Sequence, residues 1–314
     1  MLHFLTSTFL AFFLYHPEHH FASPLPPSPQ FVGVVTTDGF YIVEEGKQAV
    51  MMLDAYILDY PRYPTICWDK KKSRFLISTG SRIFSHSVNP HTMQPTGFAE
   101  LTPSYPANAY YIDIEVDKKG NVFVLDGENN CIRRFADIPT DYTPVPALVA
   151  TCVYPVSRES TAFDIVSNGR SPEFVVAQPF DVIQTSREGD TIISYLYRAT
   201  SVEASKRGQI FISESMVNDK IIKTISNANS HEDLNWSLHC SKVLFNPQDI
   251  EWSNKKKSLL VLAEYGITSC AFPKVHGNNH IVSLHEKWTS GYSLFTSRMG
   301  SGITGEEGDI AIVQ

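Results

Sequence analysis

The sequence predicts an all-β protein, a six-bladed β-propeller whose last blade is closed by N-terminal strands. Three observations predict it: a strand-turn-strand unit that recurs along the chain, strands that are apolar on both faces, and a composition rich in strand formers. The 314 residues include 14 Tyr and 19 Phe and lack the Leu-Ala-Glu-Lys runs that long helices need.

In chain order, residues 1–23 read as a signal peptide, an apolar stretch to Leu14 followed by a polar HPEHH segment. The stretch is short for a membrane span, and no later segment reaches the roughly 20 apolar residues a spanning helix needs. Residues 24–30 are rich in proline and read as an extended linker, so the propeller is expected over 31–314. The expected location is therefore secreted, outside the cell. His16, His19 and His20 resemble a metal cluster but lie in the segment to be removed.

The repeat is clearest in IDIEVDKKGNVFVLDGENNCIRRF, from Ile112 to Phe135, which reads as strand, tight turn at Gly120, strand, loop and strand. TSVEASKRGQIFISESMVNDKIIKTI repeats the order from Thr200, with its turn at Gly208. Aligning further copies puts turns at Ser73, Gly120, Ser171, Gly208, Lys257 and Gly308, separated by 47, 51, 37, 49 and 51 residues, around the roughly 40–50 of propeller blades. Val122 to Leu125 and Leu259 to Leu262 carry no polar alternation, as strands covered on both faces require. A β-sandwich also has short strands at regular spacing, but it gives no reason for a six-fold recurrence. The last copy runs out of chain after Ser293 to Ser297 and Asp309 to Val313. Phe31 to Thr36, Phe40 to Glu44 and Ala49 to Leu58 are then expected to complete its outer strands.

Charge excludes one class of partner. The net charge of −7 leaves no basic excess for a phosphate backbone, so nucleic acid is not expected. Five cysteines lack zinc-site spacing. Cys131 with Cys152 and Cys240 with Cys270 could pair in an oxidising compartment, leaving Cys67 odd; buried free thiols are the alternative. Asn235 opens an Asn-Trp-Ser glycosylation acceptor.

The DKKGNVFVLDGENNCIRRF segment resembles the NHL type of propeller repeat. Three segments are similar to the Yellow and major royal jelly protein family: VDKKGNVFVLDG with IRRFADIP, then RATSVEASKRGQIFISESMVNDKII, then FNPQDIEWSNKKKSLLVLAEY. That resemblance implies a secreted six-bladed propeller. The chain departs from the family at Lys118, Lys119 and Phe123, which leaves the family's disulfides uncertain here.

Propellers bind ligands at a channel mouth lined by the starts of the innermost strands and the loops after the second strands. The first set is Tyr111, Asp113, Thr161, Arg198, Thr200, Asn246 and Gln248; the second is Thr79, Asp126, Glu128, Glu214, Asn218, Glu264 and Tyr265. Of these, Tyr111, Asp113, Asp126, Glu128, Thr200, Asn246, Gln248, Glu264 and Tyr265 are the named site. Acids, amides and aromatics there suit a small polar or cationic ligand, or a divalent ion. Asp113 and Asp126 read first as turn caps and only second as ligands. No catalytic motif is present, so the expectation is a non-catalytic propeller, without a cofactor, that binds a small molecule or an extracellular partner. The alternatives are an interaction scaffold and a calcium-dependent lactonase-type hydrolase, in which Glu264, Asn246 and Asp113 would serve.

Overall fold

The computed structural model describes residues 30–44, 47, 49–61, 63–101, 108–135, 150–166, 172–185, 189–195, 199–204, 209–215, 220–226, 236–238, 249–254, 258–263, 266–271, 285–289 and 308–313. The signal, linker and Asn235 expectations, together with Ser293 to Ser297, lie outside these residues. Among the described residues every regular element is a strand, and the strands form six four-stranded antiparallel sheets.

The first sheet joins the two ends of the chain. It contains β1 (Phe31–Thr36), β2 (Gly39–Glu44), β3 (Val50–Asp54) and the last strand, β24 (Gly308–Ile312), in the order β24-β1-β2-β3. The next four-strand runs are β4 (Thr65–Asp69), β5 (Arg74–Ser78), β6 (Ile83–Val88) and β7 (Pro95–Leu101), then β8 (Tyr111–Val116), β9 (Val122–Asp126), β10 (Cys131–Phe135) and β11 (Ala150–Pro155). The fourth sheet is β12 (Ala162–Ile165), β13 (Phe174–Ala177), β14 (Asp181–Gln184) and β15 (Thr191–Tyr195). The fifth is β16 (Ala199–Ala204), β17 (Gln209–Ser215), β18 (Lys220–Ser226) and β19 (Trp236–Leu238), and the sixth is β20 (Asp249–Ser253), β21 (Ser258–Ala263), β22 (Gly266–Ala271) and β23 (His285–Thr289). In each of these five sheets the strands follow chain order, the meander that short polar turns between apolar runs dictate.

The first strands of the sheets touch in cyclic order, β24, β4, β8, β12, β16, β20 and back to β24. An apolar layer separates each sheet from the next. Phe40 packs on Phe75 with ring centroids 5.1 Å apart between the first two sheets, Phe123 on Phe174 at 5.5 Å between the third and fourth, and Phe211 on Trp252 at 5.0 Å between the fifth and sixth. The middle strands serve two layers at once: Val122 and Val124 of β9 face the second sheet, whereas Phe123 and Leu125 face the fourth. This is the packing of a β-propeller, in which neither face of a sheet is left to water.

The repeat's turn chemistry is local. Gly120 has φ +83° between β8 and β9, and Ser73 takes φ +50° at the matching place between β4 and β5. Gly308, aligned with them from sequence, is not such a turn. It opens β24, and Val32 to Thr36 pair with Ile312 to Gly308 across an antiparallel register. The Asp-Ile step at 309–310 therefore matches Asp249-Ile250 and Asp113-Ile114 on first strands, and the N-terminal segment supplies the other three strands of this sheet, so that Gly308–Ile312 is its first strand and not its second.

Cys131 and Cys152 are joined by a disulfide across β10 and β11, and Cys67 is a buried free thiol on β4. Cys240 lies outside the described residues, and the pairing of Cys270 is not part of the described structure.

Gly33 shows how closely the first two sheets approach. A Cβ built there would lie 2.4 Å from Phe75 Cε1, and that ring is already held between Phe40 and Trp68. Gly33→Ala is expected to cost about 1–3 kcal/mol in urea unfolding. Adding Phe75→Leu should make the double variant less destabilised than the sum of the two single ones.

Candidate functional site

The six first strands face the propeller axis, and alternation puts every second side chain there. Hydrogen bonds between strands arrange these residues in two layers. The outer layer is Thr65, Asp113, Ala162, Ser201, Asp249 and Asp309; two residues further along each strand lies the inner layer, Cys67, Glu115, Asp164, Glu203, Glu251 and Ala311.

In both layers a carboxyl reaches to the backbone N–H of the next first strand. Asp309 Oδ2 accepts from Ile66 N at 2.7 Å, Asp113 Oδ2 from Phe163 N at 2.7 Å and Asp249 Oδ2 from Ile310 N at 3.1 Å. One layer in, Asp164 Oδ2 accepts from Ala204 N, Glu203 Oε1 from Trp252 N at 3.2 Å, and Glu251 from Ile312 N. A first strand has a sheet partner on one side only, so its other edge would bury unpaired N–H groups without these acceptors.

The starts of the first strands enclose a cavity of about 550 Å³ lined from all six sheets. Of the residues named from sequence, Asp113, Thr161 and Thr200 line it. Thr161 Oγ1 donates to Ala199 O at 2.9 Å, and Thr200 Oγ1 lies 2.6 Å from Ser213 Oγ. Tyr111 does not line it. The register of β8 on β9 slips between Tyr111 and Asp113, which breaks the alternation and turns Tyr111 into the layer between sheets, edge-on to Phe135. Asp126 is also elsewhere: it is fully buried, pairs with Arg133 Nε at 2.7 Å and accepts from the N–H groups of Tyr110 and Asn129. That is the capping role its place after a strand allows. Glu128 is exposed on the β9–β10 turn, and Thr79 N donates to Arg82 O in the β5–β6 turn. Arg198, Asn218, Asn246, Gln248, Glu264 and Tyr265 lie outside the described residues, as does the side chain of Glu214. Glu115, Ser201, Glu203, Asp249, Glu251 and Asp309, which also line the cavity, were not named from sequence. The signal that finds all but Asp309 is an acid two residues from another acid or hydroxyl on three of the six first strands: Asp113 and Glu115, Ser201 and Glu203, Asp249 and Glu251.

Burial of so many carboxyls together favours their neutral forms. Burial, with the nearby Asp249 and Asp164, pushes Asp113 up to about 8 against the pull of the Phe163 and Ile114 N–H groups. Asp164 rises to about 6, mainly by burial, while the Ala204 N–H holds it down. Glu115, Glu203, Glu251 and Asp309 all lie well above the usual carboxyl range, burial being the first cause. No Lys or Arg is among the described lining residues. The described side chains do not fit a calcium ion: no three Asp, Glu, His or Cys are placed to hold a metal. Both oxygens of Asp113 and of Asp309 already accept backbone N–H groups.

These shifts fix how stability varies with pH. A carboxyl raised by folding contributes stability that is complete below about pH 4 and is lost as the pH rises through its folded value, here about 6 for Asp164 and about 8 for Asp113. Buried His86, lowered to about 4 by desolvation, acts in the opposite sense and only below its unfolded value near 6.5. Above about pH 7 His86 no longer contributes, and the carboxyls act in one sense with the buried Cys67 thiol, which burial also pushes up. Denaturant midpoints should fall from pH 7 to 9, and Asp113→Asn should make that fall shallower by up to ~1.4 kcal/mol per pH unit. An unchanged slope in the variant would show that Asp113 carries no proton near neutrality.

No family model matches the chain and no curated protein matches it, so the Yellow and NHL likenesses stay with the segments that carry them. Among solved structures, the chain is similar to the gluconolactonase of Xanthomonas campestris at 10% identity, with a TM-score of 0.51 over 84% of this chain and 86% of that one. It is similar to a candidate 6-phosphogluconolactonase of Bacteroides fragilis at 11% identity and 0.51, over 92% and 99%. A third, a candidate gluconolactonase, aligns at 8% identity and 0.53 over 85% and 84%. At these identities the likeness concerns the fold, and with the sheet order it makes this chain a β-propeller.

Proposed function

We propose that the six sheets are six blades of one ring, closed where β24 meets β1, and that the cavity on its axis binds and hydrolyses a small lactone or related cyclic ester. The observation that carries the reading is the cavity itself: it is large enough for one sugar-sized molecule, reached by all six first strands, and lined by carboxyls. Asp113, with its proton half-lost near pH 8, is of the kind that gives and takes protons near neutrality. Gluconolactonases among the similar structures supply the chemical class to test, by analogy of fold.

A second reading, binding without turnover, is favoured by the backbone N–H groups that occupy both Asp113 oxygens. A scaffold acting through its outer faces calls for a plugged channel, and the cavity counts against it. The likeness to the Yellow and major royal jelly proteins brings no residue role into this proposal. Secretion belongs to it, with residues 1–23 as the leader, and the disulfide between Cys131 and Cys152 supports an oxidising compartment.

Purified protein, offered five- and six-membered lactones in weakly buffered indicator solution, should release acid faster than the uncatalysed rate. Saturating ligand should also raise the unfolding temperature. A raised unfolding temperature without acid release would select the binding reading. A folded protein that does neither with any lactone would overturn the proposal.

A further inference from the structure

The mouth of the cavity is aromatic on one side. Among the large apolar side chains described as exposed, Tyr63, at 51%, is the one that lines the cavity; Tyr56 and Tyr60 of the preceding turn do not. Buried Pro61 and Pro64 stand on either side of Tyr63 in the chain, and each removes backbone conformations. Its ring meets Tyr110 edge to face, with centroids 6.2 Å apart and planes at 81°. Tyr110 in turn lies so close to Gly80 that a Cβ there would be 2.7 Å from Cε2 of the ring. The N–H of Tyr110 donates to Asp126 Oδ1 at 3.2 Å, and its carbonyl accepts from Gly127 N at 2.9 Å. A ring supported in this way and left half exposed is preorganised for contact, because covering it costs little further conformational freedom.

A second observation concerns the donors that the wall offers. Thr161 Oγ1 donates to Ala199 O, Thr200 Oγ1 is bonded to Ser213 Oγ, and Ser201 Oγ donates to Asp249 Oδ1, so these hydroxyls are engaged within the protein. The Thr65 hydroxyl oxygen is fully buried. No Lys, Arg, His, Asn or Gln is among the described lining residues, whereas Pro64, Ile112, Phe163 and Pro179 continue the apolar wall from Tyr63. Tyr63 precedes the start of β4 and stands toward the mouth; the carboxyls lie further along the first strands and serve one polar end of a ligand. A ring bearing hydroxyls all round would leave water for a wall with few donors to replace it, at a loss for each hydroxyl. A flat hydrocarbon ring gains from the same transfer.

We infer that the mouth takes an aromatic ring stacked on Tyr63, and that the substrate of this cavity is a lactone fused to such a ring, its carbonyl end inward, in place of a polyhydroxylated sugar lactone. Tyr63 is the specificity-determining residue, and Tyr110, seated on Gly80, positions it. The lactone half of the inference rests on the hydrolase reading above. The ring half rests on the cavity and its aromatic mouth alone.

The full chain is tested with three six-membered lactones of rising polarity: 3,4-dihydrocoumarin, δ-valerolactone and glucono-δ-lactone. Wild-type kcat/KM, divided by each lactone's uncatalysed rate, should be highest on dihydrocoumarin by about tenfold or more. Tyr63→Ala should raise KM for dihydrocoumarin about tenfold with kcat little changed, and raise KM for the other two far less; Tyr63→Phe, which keeps the ring, should retain the wild-type KM. Tyr63→Leu, a smaller change, should fall between alanine and wild type. Tyr110→Ala should raise the dihydrocoumarin KM selectively by about threefold, whereas a merely structural loss would lower kcat on all three lactones. A readout that needs no turnover is 1-tetralone, the carbocyclic ketone of the same shape. It should raise the unfolding temperature more than cyclohexanone at equal concentration, and lose that advantage in Tyr63→Ala. A preference for glucono-δ-lactone, or an unchanged dihydrocoumarin KM in Tyr63→Ala, would overturn the inference and leave the hydrolase reading standing. A wild type that turns over no lactone defeats that reading instead. The ketones then decide the ring: an advantage of 1-tetralone that Tyr63→Ala removes supports it, and no advantage, or one the variant keeps, overturns it.

Discussion

Every level of this structure depends on the hydrogen bond from a first-strand carboxyl to the backbone of the next first strand. A four-stranded sheet stacked around an axis has its outer edge in water, where the N–H groups find partners. The inner edge faces its neighbours across a narrow channel. Strand-to-strand pairing cannot continue there, because each sheet ends at its first strand. Asp309, Asp113, Asp249, Asp164 and Glu203 bridge the gap by carrying the acceptor on a side chain. The apolar layers hold adjacent sheets face to face, but they are non-directional. The carboxyl bonds fix how far one first strand is displaced along the axis against the next, and so place the two side-chain layers at common heights.

The same device sets the electrostatics. Acceptors that meet N–H groups could have been amides or hydroxyls, and at one seam Ala162 offers no acceptor at all. Using carboxyls crowds like charges into a channel with no described Lys or Arg to balance them. Protonation relieves the crowding, which is why the shifts all run upward and why burial leads every one of them. Elsewhere in the molecule acids are treated differently. Asp69 is fully buried against Arg74 at 2.9 Å, and Asp126 against Arg133 at 2.7 Å. Basic partners are thus supplied where an acid fixes a turn, and withheld at the axis.

Much of the fold was legible in the sequence because its signals are local. The Asp-Lys-Lys-Gly turn at 117–120, the doubly apolar runs such as Val122 to Leu125 and the roughly 45-residue spacing each follow from a few neighbouring residues. The meeting of β1 with β24 was accessible by elimination, since the chain ran out of strands near its end. The site was less legible. Asp113, Thr161 and Thr200 were found by counting to the start of a first strand, but Tyr111 fails that count because one slip in register reverses the face of everything beyond it. Asp309 was passed over because Gly308 was aligned as a turn, which moved it off a first strand, and Asp249 because the count for its strand stopped at Asn246 and Gln248. No local rule says that an acid on a strand will accept from a backbone 50 or more residues away.

The departure from six-fold symmetry separates the structural part of the ring from the part with chemistry. If stitching were the sole demand, each seam of the outer layer would be served equally well by the same neutral acceptor, and the channel would be spared its charge. Instead the acids Asp249 and Asp309 fall on adjacent strands, flanked by the hydroxyls of Ser201 and Thr65, while Asp113 lies alone between Thr65 and Ala162. Adjacent acids at that height cost the most in mutual repulsion and in desolvation. Ser201 lowers the cost for Asp249 by donating to it, and the N–H groups of Ile66 and Ile310 lower it for Asp309. A seam that gathers acids on adjacent strands is poorly made for stability alone, and it stands at the wall of the cavity.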